Sequence, residues 1–227
     1  MAHIVCFVGN KGGTGKTTLT HLLAHGLGLS GQRAVAALTD GGREPLSKVN
    51  RTYLPVDART PDALARVAAK LQAVDGWFGI LHGGANRPEM DERLSRLAHL
   101  VLLPFRDSPE DLRAVKNDLR RFPQAYALPS QWPTNIWQQE AANRMLTGAL
   151  NEFAGRVLEP VYAVSATKQL LNMDAPISLP TPVNSAARTL AQQVFYLLGI
   201  GSIYRSRSSS RSSPPPSLPA SWAIASG

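Results

Sequence analysis

The chain has a single cysteine, Cys6, among 227 residues. A disulfide within the chain is therefore excluded, and a thiol inside the apolar run Ile4–Val8 reads as buried and inert. No stretch approaches the roughly 18 apolar residues that a membrane span needs. The opening MAHIVCFVGN has no positively charged region ahead of its apolar residues and runs straight into a strand pattern, so a signal peptide is not expected. A cytoplasmic protein fits these absences. Acidic residues are scarce, 16 against 24 Lys and Arg, for a formal net charge of +8. Three of the positive charges, Arg205, Arg207 and Arg211, fall after residue 200. A moderate basic excess permits weak binding to nucleic acid or anionic lipid and demands neither. His3, His21, His25 and His99 have no metal-ligand spacing to Cys6 or to a carboxylate pair. No internal repeat is visible.

What is present is a chain 44% hydrophobic, enough for one sizeable core. Short apolar runs at Ile4–Val8, Ala34–Leu38, Trp77–Leu81, Leu100–Leu103 and Val161–Val164 read as strands. Thr17–Leu29, Pro61–Val74, Pro109–Phe122, Trp137–Phe153 and Ser185–Leu198 carry apolar residues at helical spacing. That alternation predicts an α/β fold: one domain over residues 1–200, a mainly parallel twisted sheet with helices on both faces. Residues 201–227, rich in Ser, Arg and Pro, contain too few core formers to offset their ordering entropy and read as a disordered tail.

The most informative segment is Lys11-Gly12-Gly13-Thr14-Gly15-Lys16-Thr17-Thr18. It follows an apolar strand and opens a helix, the context of a phosphate-binding loop. Glycines let successive backbone N–H groups curl inward around phosphate oxygens, and the helix contributes its positive N-terminal end. Lys16 would meet the β and γ phosphates, and the Thr17 hydroxyl would complete a Mg²⁺ shell. Average residue usage makes such a string a chance event at roughly one in ten million positions. ATP with Mg²⁺ is the ligand expected at Gly12, Gly13, Thr14, Gly15, Lys16, Thr17 and Thr18.

This loop departs from the general pattern, with Asn10 where glycine is usual and a second lysine at Lys11. In this form, KGGTGKTT resembles the deviant loop of the ParA/MinD family of partition and positioning ATPases. The resemblance extends over most of residues 1–200, with only the loop highly specific. It implies slow ATP hydrolysis, an ATP-dependent homodimer in which Lys11 reaches the partner's nucleotide, and a partner protein that stimulates turnover. It also implies a dimer-dependent basic surface for DNA without sequence preference, and hence nucleoid association. Arg113, Lys116, Arg120, Arg121, Arg144, Arg156, Lys168 and Arg188 are the candidates for that surface. Any of them also reads as part of an ordinary solvated helix face.

Two positions depart from the family. Its second strand is followed by Asp-x-Asp, which here is Leu38-Thr39-Asp40. Asp40 matches the second aspartate and is the remaining candidate for orienting water, or else it caps the turn Gly41-Gly42. The aspartate ending the family's third strand corresponds to His82, and imidazole is a poor ligand for a hard cation. A nucleotide-binding adaptor with little hydrolysis is therefore the second reading. A third is a membrane-associated MinD-like regulator. It is weakened by a last helix with one internal cation, Arg188, which suits packing on the sheet better. Ser108-Pro109-Glu110-Asp111 reads as a capped helix start. Pro129–Asn135 reads as a rigid surface loop whose tryptophans pack into the core, wall the adenine pocket or contact a partner.

Overall fold

The computed structural model describes residues 1–39, 44, 46–84 and 88–200. Seven strands form one parallel sheet in the order β3-β2-β4-β1-β5-β6-β7. They are β1 (His3–Phe7), β2 (Arg33–Leu38), β3 (Leu54–Asp57), β4 (Trp77–His82), β5 (Leu100–Phe105), β6 (Ala125–Trp132) and β7 (Val161–Tyr162). The helices are α1 (Lys16–Leu29), α2 (Pro61–Gln72), α3 (Pro88–Leu97), α4 (Pro109–Arg121), α5 (Ile136–Leu150) and α6 (Thr181–Leu197). Short 3₁₀ segments occupy Asn151–Arg156 and Ser165–Leu171.

Parallel strands carry helices on both faces, so the inner ones read as unbroken apolar runs. Every residue of β5 is buried. Leu64 of α2, Leu94 of α3, Leu112 of α4 and Leu146 of α5 join one core layer. Leu23 and Leu27 of α1 join Leu190 and Val194 of α6 in the other. Each such side chain contributes about 1.5–3 kcal/mol by leaving water. The start of α4 follows its sequence signal: Ser108 Oγ accepts from the Asp111 amide at 3.1 Å, and Pro109 opens the helix.

Three elements lie outside the sequence expectation, each for a local reason. β3 is an edge strand carrying Pro55, only partly buried, so it has no apolar run. α3 is strongly charged and buries Asp91 and Ser95 beside Leu94. β6 contains Pro129, Ser130 and Gln131, residues that usually mark turns. The surface-loop reading is corrected for Trp132, the last residue of β6 and 1% exposed. Its ring packs edge-on to Phe105, and its indole donates to Asn143 Oδ1 at 3.2 Å. Trp137, by contrast, is 74% exposed. The strand ending in His82 is the fourth in chain order, not the third, because β3 precedes it. The expected tail at 201–227 lies outside the described residues, as does Asp40.

Candidate phosphate-binding site

The central strand β1 lies between β4 and β5, and the loop of residues 9–15 leaves its C-terminal end. Ligands of open α/β sheets bind at such ends, where the strand order changes direction. Gly13 and Gly15 have φ of 77° and 87°, a left-handed backbone that glycine adopts without steric cost. Lys16 turns back into the loop, donating from Nζ to Gly9 O and Lys11 O, both at 2.7 Å. Burial lowers its pKa, and the charges of Asp91 and Asp118 oppose that shift. Phosphate oxygens, being ionised, are stronger partners for this ammonium than neutral carbonyls. The end of β6 supports the loop from the side. Ser130 Oγ, fully buried, lies 2.7 Å from Thr14 O and 3.0 Å from Phe105 O. Gln131 Nε2 donates to Gly13 O at 3.2 Å.

Lys11 sits on the rim, half-exposed. Its ammonium is 2.6 Å from Glu110 and 3.9 Å from Asp111 at the start of α4. The hydrogen bond from Lys11 holds the Glu110 carboxyl below its ordinary pKa. Asp111 Oδ2 also accepts from the Arg106 amide and Nε, at 3.0 and 3.1 Å. Burial pushes the Asp111 carboxyl up, but the bonds from Arg106 and Ser108 outweigh it and leave the pKa lowered. Gly12 and Gly13 are exposed, and Thr17 and Thr18 are half-buried on the first turn of α1.

The ends of β2 and β4 carry the two departures. Leu38 and His82 are both buried, and Thr39 Oγ1 between them donates to His82 O at 2.6 Å. A cavity of about 180 Å³ opens beside Leu38, lined also by Thr17, His21, Glu44, Leu46, Leu171 and Met173. Thr17 would offer Mg²⁺ one hydroxyl oxygen, and Glu44, on the same cavity, would offer a carboxylate. A cation that takes most of its ligands from phosphate and water fits that modest set. Among the described residues no group of three or more His, Cys, Asp or Glu is placed to hold a metal.

Beneath the loop, sequence reasoning missed two carboxylates. Asp91 of α3 accepts from the Gly9 amide at 3.1 Å, and Asp118 of α4 accepts from the Asn10 amide. Burial raises the pKa of both, that of Asp91 to about 6. Asp91 is nine residues after His82 in sequence, and only the return of α3 against β1 brings it to the loop.

The eight basic candidates do not form one surface. Arg113, Lys116, Arg120 and Arg121 lie on α4, Arg144 on α5 and Arg156 at the end of the following 3₁₀ segment. Lys168 and Arg188 belong to elements packed in the other core layer. Several have structural partners. Lys116 and Arg120 share Glu152 at 3.1 and 2.9 Å, and Arg121 pairs with Glu92. Arg156 donates to Leu119 O and Phe122 O at the end of α4, and Arg188 to Leu29 O at the end of α1.

No protein-family model matches the chain, and no curated protein sequence does. Solved structures do match it. MinD cell division protein of Aquifex aeolicus is 15% identical, over 86% of this chain and 97% of that one, with a TM-score of 0.64. McdA of Cyanothece, a variant in complex with ATP, is 13% identical, over 87% and 96%, with a TM-score of 0.60. A ParA family ATPase from Chlorobium tepidum is 12% identical, over 85% and 98%, with a TM-score of 0.57. The chain has the ParA/MinD fold. Within that fold the loop from Lys11 to Gly15 joins β1 to α1, and the ends of β2 and β4 carry Leu38 and His82. Among the described residues, no helix is long and apolar enough to cross a membrane.

Proposed function

We propose that this protein is an ATP-dependent dimerising switch of the ParA/MinD type. The observation that carries the reading is the pair of loop lysines. Lys16 is buried in the loop, poised to exchange carbonyl oxygens for phosphate, while Lys11 stays on the rim. Loop amides and Lys16 would bind the phosphates, and the Thr17 hydroxyl would join the metal shell. Mg²⁺ bound there would neutralise phosphate charge. Lys11, released from Glu110, would reach a nucleotide held by a second subunit and favour assembly only while that nucleotide is present. Asp40 remains the proposed orienting residue for water. A sizing experiment with and without ATP tests this. Lys16→Ala should lose nucleotide binding, whereas Lys11→Ala should bind nucleotide and stay monomeric. A Lys11→Ala protein that still dimerises with ATP contradicts the reading.

The basic residues of α4 and its neighbours would hold DNA without sequence preference, making the switch one that positions or segregates a cargo such as a plasmid. A stimulating partner protein is part of this reading. DNA retention should then require ATP and fall steeply with salt. The second reading, a nucleotide-binding adaptor that recruits a protein, is favoured by strand ends that carry Leu38 and His82 and no carboxylate. Turnover with and without DNA separates the two, since clear stimulation excludes the adaptor.

A further inference from the structure

We propose that Asp91 is a positioning residue of the phosphate loop, a buried carboxyl that seats Gly9 and opposes the arrival of phosphate unless it carries a proton. The proposal rests on the nucleotide-binding reading above and extends it to how affinity is set. Asp91 is 2% exposed in the first turn of α3. Its Oδ2 accepts the Gly9 amide at 3.1 Å. Its Oδ1 is buried and accepts no hydrogen bond among the described residues. The seat is shaped for it, because a Cβ on Gly83 would lie 1.8 Å from Oδ1. A buried anionic oxygen with no donor is costly, and a proton on it removes that cost.

Charged and titratable groups face it from three of the elements packed around it. Lys16 faces it from α1, Asp118 and Arg121 from α4, and the Cys6 thiol from β1. Glu92, its neighbour on α3, is held by Arg121. Burial, then Asp118, pushes the Asp91 carboxyl up to about 6, against the pull of Gly9, Lys16 and Arg121. In the resting loop Lys16 balances part of the negative charge. When Lys16 turns to a phosphate, that balance goes and further negative charge arrives on the other side of a thin backbone loop. Asp91 then takes a proton from solvent onto Oδ1, and the cost of doing so grows as pH rises above about 6.

The test uses Mg²⁺-ADP as the probe and compares the full chain with Asp91→Asn from pH 5 to pH 8. Asparagine keeps an oxygen for the Gly9 amide and removes the charge. Titration of ADP itself cancels in the ratio of the two affinities. That ratio should be close to 1 at pH 5 and rise to about three- to tenfold in favour of Asp91→Asn at pH 8. A purely structural role leaves the ratio flat with pH, and a flat ratio overturns the proposal. Asp91→Ser, also uncharged and able to accept from Gly9, should reproduce the rise if the asparagine variant does not fold. If wild type binds ADP and the ratio is flat, only this proposal fails. If wild type binds no ADP at any pH, the nucleotide reading fails and takes this one with it.

Discussion

The two flanks of the phosphate loop differ in charge. On the side of β2 and β4 the buried residues are Leu38, Thr39 and His82. On the underside, against α3 and α4, Asp91 and Asp118 each accept a loop amide. Carboxylates are therefore present near the loop, but they grip its backbone instead of facing a metal. Groups that bind phosphate and groups that cleave it are separable in one fold. Among the described residues, Glu44 is the acid that lines the cavity beside Leu38.

The largest expected effect breaks the loop itself. Lys16→Ala should weaken ATP and ADP binding by about a hundredfold or more in calorimetry, because a buried charge-assisted contact is lost. Next is the seat of the underside carboxylate. Gly83→Ala forces a methyl group into Asp91 and should cost about 1–3 kcal/mol in a denaturant titration, with little change if α3 shifts freely. An effect of similar size concerns pH and stability. Asp91 has a folded pKa raised to about 6, so its contribution is present below its unfolded pKa and is lost as pH rises through about 6. Relative to wild type, Asp91→Asn should therefore gain about 1–3 kcal/mol between pH 4 and pH 8. Equal pH profiles for the two proteins would remove the contrast between the flanks.

Strong local signals carried the loop, α1, the capped start of α4 and the inner strands. Glycine spacing, a serine before a proline, and unbroken apolar runs each act within a few residues. β3, α3 and β6 were hidden because their burial is partial or their composition is that of turns. The supports at Ser130 and Gln131 were hidden with β6, although their place at the end of a parallel strand is where such groups gather. The basic candidates were legible as charges. Their separation onto different core layers, and the helix-end roles of Arg156 and Arg188, depend on which helix packs against which.

The sequence by itself determined that a Gly-rich loop with two lysines follows a buried strand in an α/β chain, and that neither Leu38 nor His82 is an acid. These are statements about residue type and short spacing, which covalent geometry and local propensity settle. Only the tertiary structure decided that Asp91 and Asp118, 82 and 108 residues from the amides they accept, lie beneath the loop. It also decided that Lys11 rests on Glu110. Those contacts depend on how parallel strands order themselves and how the crossover helices return. The resulting desolvation and charge pairing exist only once the chain has packed.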